Sequence, residues 1–106
     1  MIKIDLRTAL TDEAIKEALP NIGLRCRYTA PCIIGACMSF EDRQLLRNEG
    51  CDGHSIWKAV KTDLLVEFAT PEQFTQAQHL QWAFDGGKRD DVMHWIKEIR
   101  NAPSQD

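Results

Sequence analysis

An α+β fold, mostly helical, is what this sequence predicts, and three observations carry it. Thr70, Pro71 and Gln73 open a segment in which Phe74, Ala77, Leu80 and Phe84 recur at helical spacing. After Gly86-Gly87, Val92, Trp95, Ile96 and Ile99 repeat that spacing. Two short runs read differently: Ile2, Ile4 and Leu6 alternate with charged residues, and residues 64–69, "LLVEFA", are rich in strand formers. The expectation is one domain over residues 1–100 with four to five helices and a small two- or three-stranded sheet or hairpin. Residues 101–106 are polar, contain Pro103, and read as a frayed tail.

The elements follow in order. After the first strand, Thr11 or Asp12 caps a helix through about Leu19, with Leu10, Ala14, Ile15, Ala18 and Leu19 as its apolar stripe. "PNIG" is a turn. Leu24, Cys26 and Tyr28 alternate with Arg25 and Arg27, the pattern of a second short strand. Residues 31–38 are a continuous apolar run, compatible with a buried helix or a buried strand. A helix is the preferred reading, with Thr29 as cap and Pro31 in the first turn. Ser39 and Asp42 have a capping-box-like spacing and open a more polar helix to about Glu49, stopped by Gly50. Residues 55–61 read as a short helix with Ile56, Trp57 and Val60 inward. Thr70, Pro71 and Gln73 supply cap, first position and capping box for the next helix, and the last runs from about Asp90 to Arg100.

At 106 residues, with 43% apolar and 27% charged residues, the chain is composed like an ordinary globular domain. It has no apolar run of the ~18 residues a membrane span needs and no signal-peptide pattern at its start. The expected location is the cytoplasm, with no membrane partner and with the four cysteines as free thiols. Net charge is −3 and the basic residues are scattered as Arg25/Arg27, Arg43/Arg47, Lys58/Lys61 and Lys88/Arg89. A concentrated basic stripe is the usual mark of nucleic-acid binding, so that partner is disfavoured.

The cysteines are spaced Cys-x5-Cys-x4-Cys-x13-Cys over Cys26, Cys32, Cys37 and Cys51, and His54 follows Cys51 by three. Structural zinc sites pair ligands as Cys-x2–4-Cys on tight turns. Cys26 and Cys32 are too widely spaced, and Ile33-Ile34-Gly35-Ala36 between Cys32 and Cys37 is apolar. Cys51-Asp52-Gly53-His54 has the form of one ligand knuckle without a matching pair. Core packing is the favoured reading, and no metal or cofactor is assigned. Cys32 keeps a claim to reactivity, with Cys26 as its possible thiol partner, because a helix start lowers a thiol pKa.

His79 and Trp82 share one side of the 70–84 helix at i, i+3, away from its apolar stripe. A tryptophan there is either an interface anchor or covered by another element. His94 lies opposite Val92, Trp95, Ile96 and Ile99 and reads as solvated. The acids Glu41/Asp42 and Asp90/Asp91 are explained by the helix macrodipole. Neither paired carboxylates in apolar surroundings nor a phosphate-binding loop is visible; "DGGKRDD" lacks the required pattern.

Cys26-Arg27-Tyr28, Cys32-Ile33-Ile34-Gly35-Ala36, Glu41-Asp42, Glu49-Gly50, the stretch Leu80-Gln81-Trp82-Ala83-Phe84-Asp85 and Trp95 together resemble a pattern in short uncharacterised bacterial and phage-encoded proteins. The resemblance spans Cys26 to Trp95. The chain departs from it in a shorter turn, Thr29-Ala30-Pro31, and in Cys37-Met38-Ser39, where an aliphatic then a polar residue is usual. No activity attaches to that group, so no catalytic residue comes over. The resemblance implies a buried helix entered through Cys32 and an accessory role in a mobile element.

The functional expectation is a small non-enzymatic protein, binding a protein partner or itself, with His79 and Trp82 at the interface. The first rival is a thiol- or metal-dependent site built from Cys26, Cys32, Cys37, Cys51 and His54. The second is nucleic-acid binding through Arg25, Arg27, Arg43 and Arg47 on one face.

Overall fold

The computed structural model describes residues 2–24, 32–48 and 66–101. Among these, two strands and six helical segments succeed one another, four of the helices having seven or more residues. The mostly helical α+β class holds. Strand β1 (Ile2–Ile4) is followed by α1 (Leu6–Ala9), α2 (Asp12–Ala18) and a 3-10 turn, Leu19–Asn21. Then come α3 (Ile33–Ala36), α4 (Phe40–Asn48), β2 (Val66–Phe68), α5 (Pro71–Asp85) and α6 (Arg89–Arg100). Cys26, Tyr28, Thr29, Pro31, Gly50, Cys51, His54 and the expected 55–61 helix lie outside the described residues, as does the tail beyond Asn101.

β1 and β2 pair in parallel, with Ile2 opposite Val66, Lys3 opposite Glu67 and Ile4 opposite Phe68. Ile2, Ile4, Val66 and Phe68 are buried, while Lys3 and Glu67 share the exposed face with opposite charges. The expected first strand included Leu6. It stops at Ile4 because Asp5 caps a helical turn instead: Asp5 Oδ1 accepts from the Arg7 backbone N–H at 3.1 Å. The Arg7 guanidinium also grips the Asp5 carboxylate, at 3.3 Å through Nε and 3.2 Å through Nη2. Leu6 is fully buried all the same.

Thr11 caps α2 by accepting from Ala14 N–H at 3.1 Å. Leu10, Ala14, Ile15 and Ala18 are buried along its stripe and Leu19 is half-buried. The turn after it closes at Gly23, whose φ of 75° suits glycine. A Cβ at Gly23 would come within 3.2 Å of the Gly87 Cα, itself in a residue with φ 70°. Gly23 N–H also donates to the Phe84 carbonyl at 2.8 Å, so two glycines let the α2 exit press against the end of α5. Leu24, expected to start a strand, sits in a bend there and is exposed.

α3 is a single buried turn, and its cap is Cys32 rather than the expected Thr29. α4 begins as expected, with Ser39 Oγ accepting from Asp42 N–H at 3.1 Å. Arg43 on α4 forms a two-pronged pair with Glu17 of α2, at 2.8 and 3.2 Å, and donates from Nε to the Met38 carbonyl at 3.2 Å.

α5 starts where the spacing predicts. Thr70 Oγ1 accepts from Gln73 N–H at 3.1 Å, and Pro71 follows in the first turn. The reciprocal half of a capping box would send the Gln73 side chain back to Thr70. It goes elsewhere: Gln73 Oε1 accepts from the Leu6 backbone N–H at 2.8 Å, and Nε2 donates to Asp5 Oδ1 at 2.9 Å. The parallel pairing is the reason. Ala69 N–H donates to the Ile4 carbonyl at 2.9 Å, so the exits of both strands lie side by side. Leu6, as the first residue of α1, has no intrahelical acceptor for its N–H. Gln73, 4% exposed, fills that gap. The same hydrogen bonds, from Arg7 first and Gln73 second, hold the Asp5 carboxyl below its ordinary pKa.

α5 and α6 form a helical hairpin closed by Gly86-Gly87. Ala77, Leu80, Phe84, Val92, Ile96 and Ile99 are buried between it and the rest, in one core cluster that reaches from Ile2 to Ile99. Phe74 is half-buried and meets Phe68 of β2 edge-on at 6.0 Å.

Replacing Gln73 by Ala strands the buried Leu6 N–H and removes a donor from Asp5. The expected loss is about 1–3 kcal/mol, read as a lower urea midpoint with an unchanged slope. A loss under about 0.5 kcal/mol, the size typical of surface substitutions, would show that the amide is not a structural tie.

Candidate functional site

The outer side of the α5–α6 hairpin carries a run of four rings. The His79 imidazole lies flat on the Trp95 indole, with centroids 4.8 Å apart and planes 8° from parallel. Trp82, one turn along α5 from His79, meets the same imidazole edge-on at 5.7 Å and 83°. His94 meets Trp95 at 5.6 Å and 74°. Stacked and T-shaped contacts are the arrangements that ring quadrupoles favour. His79 is thereby held between two indoles on two helices.

Helical geometry produces this row. His79 and Trp82 lie three apart, hence on one side of α5, and the buried residues Ala77, Leu80 and Phe84 occupy the other. Expectation and structure agree that the pair is off the stripe: His79 is exposed and Trp82 is 63% exposed. Trp95 is the residue that sequence reasoning assigned wholly to the inner face. It is half-buried, packed against the core while its ring also receives His79. Its amphipathic indole and its place at the margin of the Val92/Ile96/Ile99 stripe were the available signal. His94 is exposed, as its position opposite that stripe predicts.

Cys32 stands at the start of α3, as the reading that left it a claim to reactivity requires, but its side chain turns inward. It has no exposed surface, and Sγ accepts from the Gly35 N–H at 3.2 Å. The sulfur serves as the cap of a one-turn helix, a use of cysteine that spacing does not reveal. Cys37 is half-buried and donates from Sγ to the Ile33 carbonyl at 3.3 Å. Burial pushes its thiol up to about 12, against a smaller opposing effect of the Arg43 charge. Cys26, the other thiol candidate, lies outside the described residues together with Cys51 and His54. Among the described residues, no three His, Cys, Asp or Glu side chains are grouped to hold a metal ion. Of the arginines expected on a nucleic-acid face, Arg43 is engaged by Glu17, and Arg25 and Arg27 lie outside the described residues. No described helix is long and apolar enough to cross a membrane.

Comparison of the chain with family models, curated proteins and solved structures yields no match. The aromatic row therefore stands on its own geometry.

Thiol labelling separates the cysteines by residue. In the native protein at neutral pH, iodoacetamide should leave Cys32 and Cys37 unmodified over a period that fully labels both in urea, as read by peptide mass spectrometry. Native labelling of Cys32 at the denatured rate would contradict its buried, capping role.

Proposed function

We propose that this chain is a small non-enzymatic protein-binding module whose working surface is the aromatic side of α5 and α6. The supporting observation is Trp82. It is 63% exposed, beside a histidine already fixed by a stack on Trp95. Tryptophan is enriched among residues that dominate binding energy, because it buries a large area and orders few torsions. A ring partly ordered before contact loses less freedom on binding. Core packing does not account for Trp82, since the inner side of α5 is filled by Ala77, Leu80 and Phe84. Self-association is the simplest form of this activity, because closed homodimers are the commonest oligomers.

Trp82→Ala tests the reading in two measurements. Thermal stability should stay within about 0.5 kcal/mol of the parent, as for a surface substitution. Association, followed by sedimentation equilibrium for the self-pairing form, should weaken by about 2 kcal/mol or more. A stability loss of about 3–5 kcal/mol, typical of a truncated core aromatic, would make Trp82 a packing residue and overturn the proposal.

A further inference from the structure

The outer side of α5 is uncharged along most of its length. Thr75, Gln78, His79 and Trp82 fall at i, i+3, i+4 and i+7, the spacing of a single stripe on a helix surface. Thr75, His79 and Trp82 are exposed and Gln78 is half-buried. From Gln73 to Phe84 the helix has no Asp, Glu, Lys or Arg, in a chain of which 27% is charged. Glu72, three residues before Thr75, and Asp85, three after Trp82, bound the stripe. Asp85 Oδ1 accepts from Gln81 Nε2 at 2.9 Å. The charges of α6 and its cap belong to the neighbouring helix and are of both signs. Lys88 and Arg89 stand at the closed end of the hairpin, and Asp91 and Glu98 take the positions next to Trp95.

The outer face of a surface helix ordinarily carries charged residues, whereas the centre of an interface is depleted in charge and enriched in aromatic residues. The chemistry of this stripe also narrows its occupant. A two-fold contact joins one patch to itself, so the patch must be its own complement. A carboxylate or an ammonium fails that condition, because it meets its own sign. A threonine hydroxyl, a glutamine amide and an imidazole with one N–H satisfy it, since each both donates and accepts a hydrogen bond. An indole packs against its copy as well as against other rings. A charged partner segment, by contrast, loses hydration against side chains that return no charge. We infer that the stripe of Thr75, Gln78, His79 and Trp82 pairs with the same stripe of a second copy of this chain, α5 against α5, across a two-fold axis beside Gln78 and His79. The middle of the uncharged span lies there, so the overlap of uncharged surface is greatest and Glu72 and Asp85 are left at the solvated rim. The inference rests on the protein-binding reading and names its partner. A helix of 15 residues is about 22 Å long and about 10 Å across. One such face falls short of the roughly 800 Å² per partner of a standard interface, so the pairing is reversible and concentration-dependent.

Sedimentation equilibrium of the full chain tests it. The parent should form a reversible dimer. Gln78→Glu and Gln78→Lys each set like charges across the axis, and each should weaken pairing at least about tenfold. An equimolar mixture of the two variants should pair at least as well as the parent, a recovery that a misfolded variant cannot give. Trp82→Ala should weaken pairing at least about tenfold without introducing a charge. A parent that stays monomeric would overturn the inference. So would Gln78 variants that pair as well alone as the parent, or that keep its circular dichroism and stay unpaired in the mixture. Peptides selected on the parent from a randomised phage-displayed library then decide the reading beneath it. Binding that is lost in Trp82→Ala keeps the face and gives it a different partner. Binding indifferent to Trp82, or none, ends that reading too.

Discussion

One amide holds two ends of this fold together. Gln73 accepts from the Leu6 N–H and donates to the Asp5 carboxylate, joining groups 67 and 68 residues apart in the chain. The strand pairing brings these groups near, but pairing alone leaves a buried N–H without an acceptor at the moment the chain turns from β1 into α1. An orphaned backbone donor inside a protein costs free energy comparable to a lost hydrogen bond. Gln73 removes that cost and fastens the first turn of α5 to the first turn of α1. Asp5 is consequently shared between two arginine contacts, a cap and a glutamine, all favouring its charged form.

α5 is the element on which the rest converges. Its start is tied to the N-terminal turn, its inner stripe lies in the core, and its end accepts the Gly23 N–H at the Phe84 carbonyl. Among the described residues, three anchors along one helix leave its outer side unassigned to packing. That side carries His79 and Trp82, and α6 completes it with Trp95. The proposed binding surface is built on a helix held this way, which places it more precisely than a loop would. The same division explains why changes to the outer rings and changes to Gln73 should have separable effects, one on association and the other on stability.

Much of this was legible from local chemistry. The Thr70 cap, the Pro71 start and the Phe74/Ala77/Leu80/Phe84 stripe depend on residues within a few positions of one another, and all are found in place. The off-stripe position of His79 and Trp82 followed from the same periodicity. What escaped the sequence depends on distant partners or on unusual chemistry. Gln73 looks like half of a capping box until β1 arrives beside it. Trp95 looks like a core residue until α5 presents a histidine to its ring. Cys32 as a helix cap is invisible to spacing rules, because cysteine is a rare choice where serine, threonine or aspartate is the norm. The end of β1 at Ile4 turned on a contest between alternation, which favours Leu6 in the strand, and an aspartate placed to cap.

Amide hydrogen exchange at Leu6 tests the central tie most directly. In the parent protein this N–H should exchange as slowly as the buried amides of α5, because its acceptor is a buried side chain that opens only when α5 separates from β1. In Gln73→Ala it should lose that protection selectively, while the interior of α5 keeps its own. Fast exchange of Leu6 in the parent, at the rate of an exposed turn, would contradict the account.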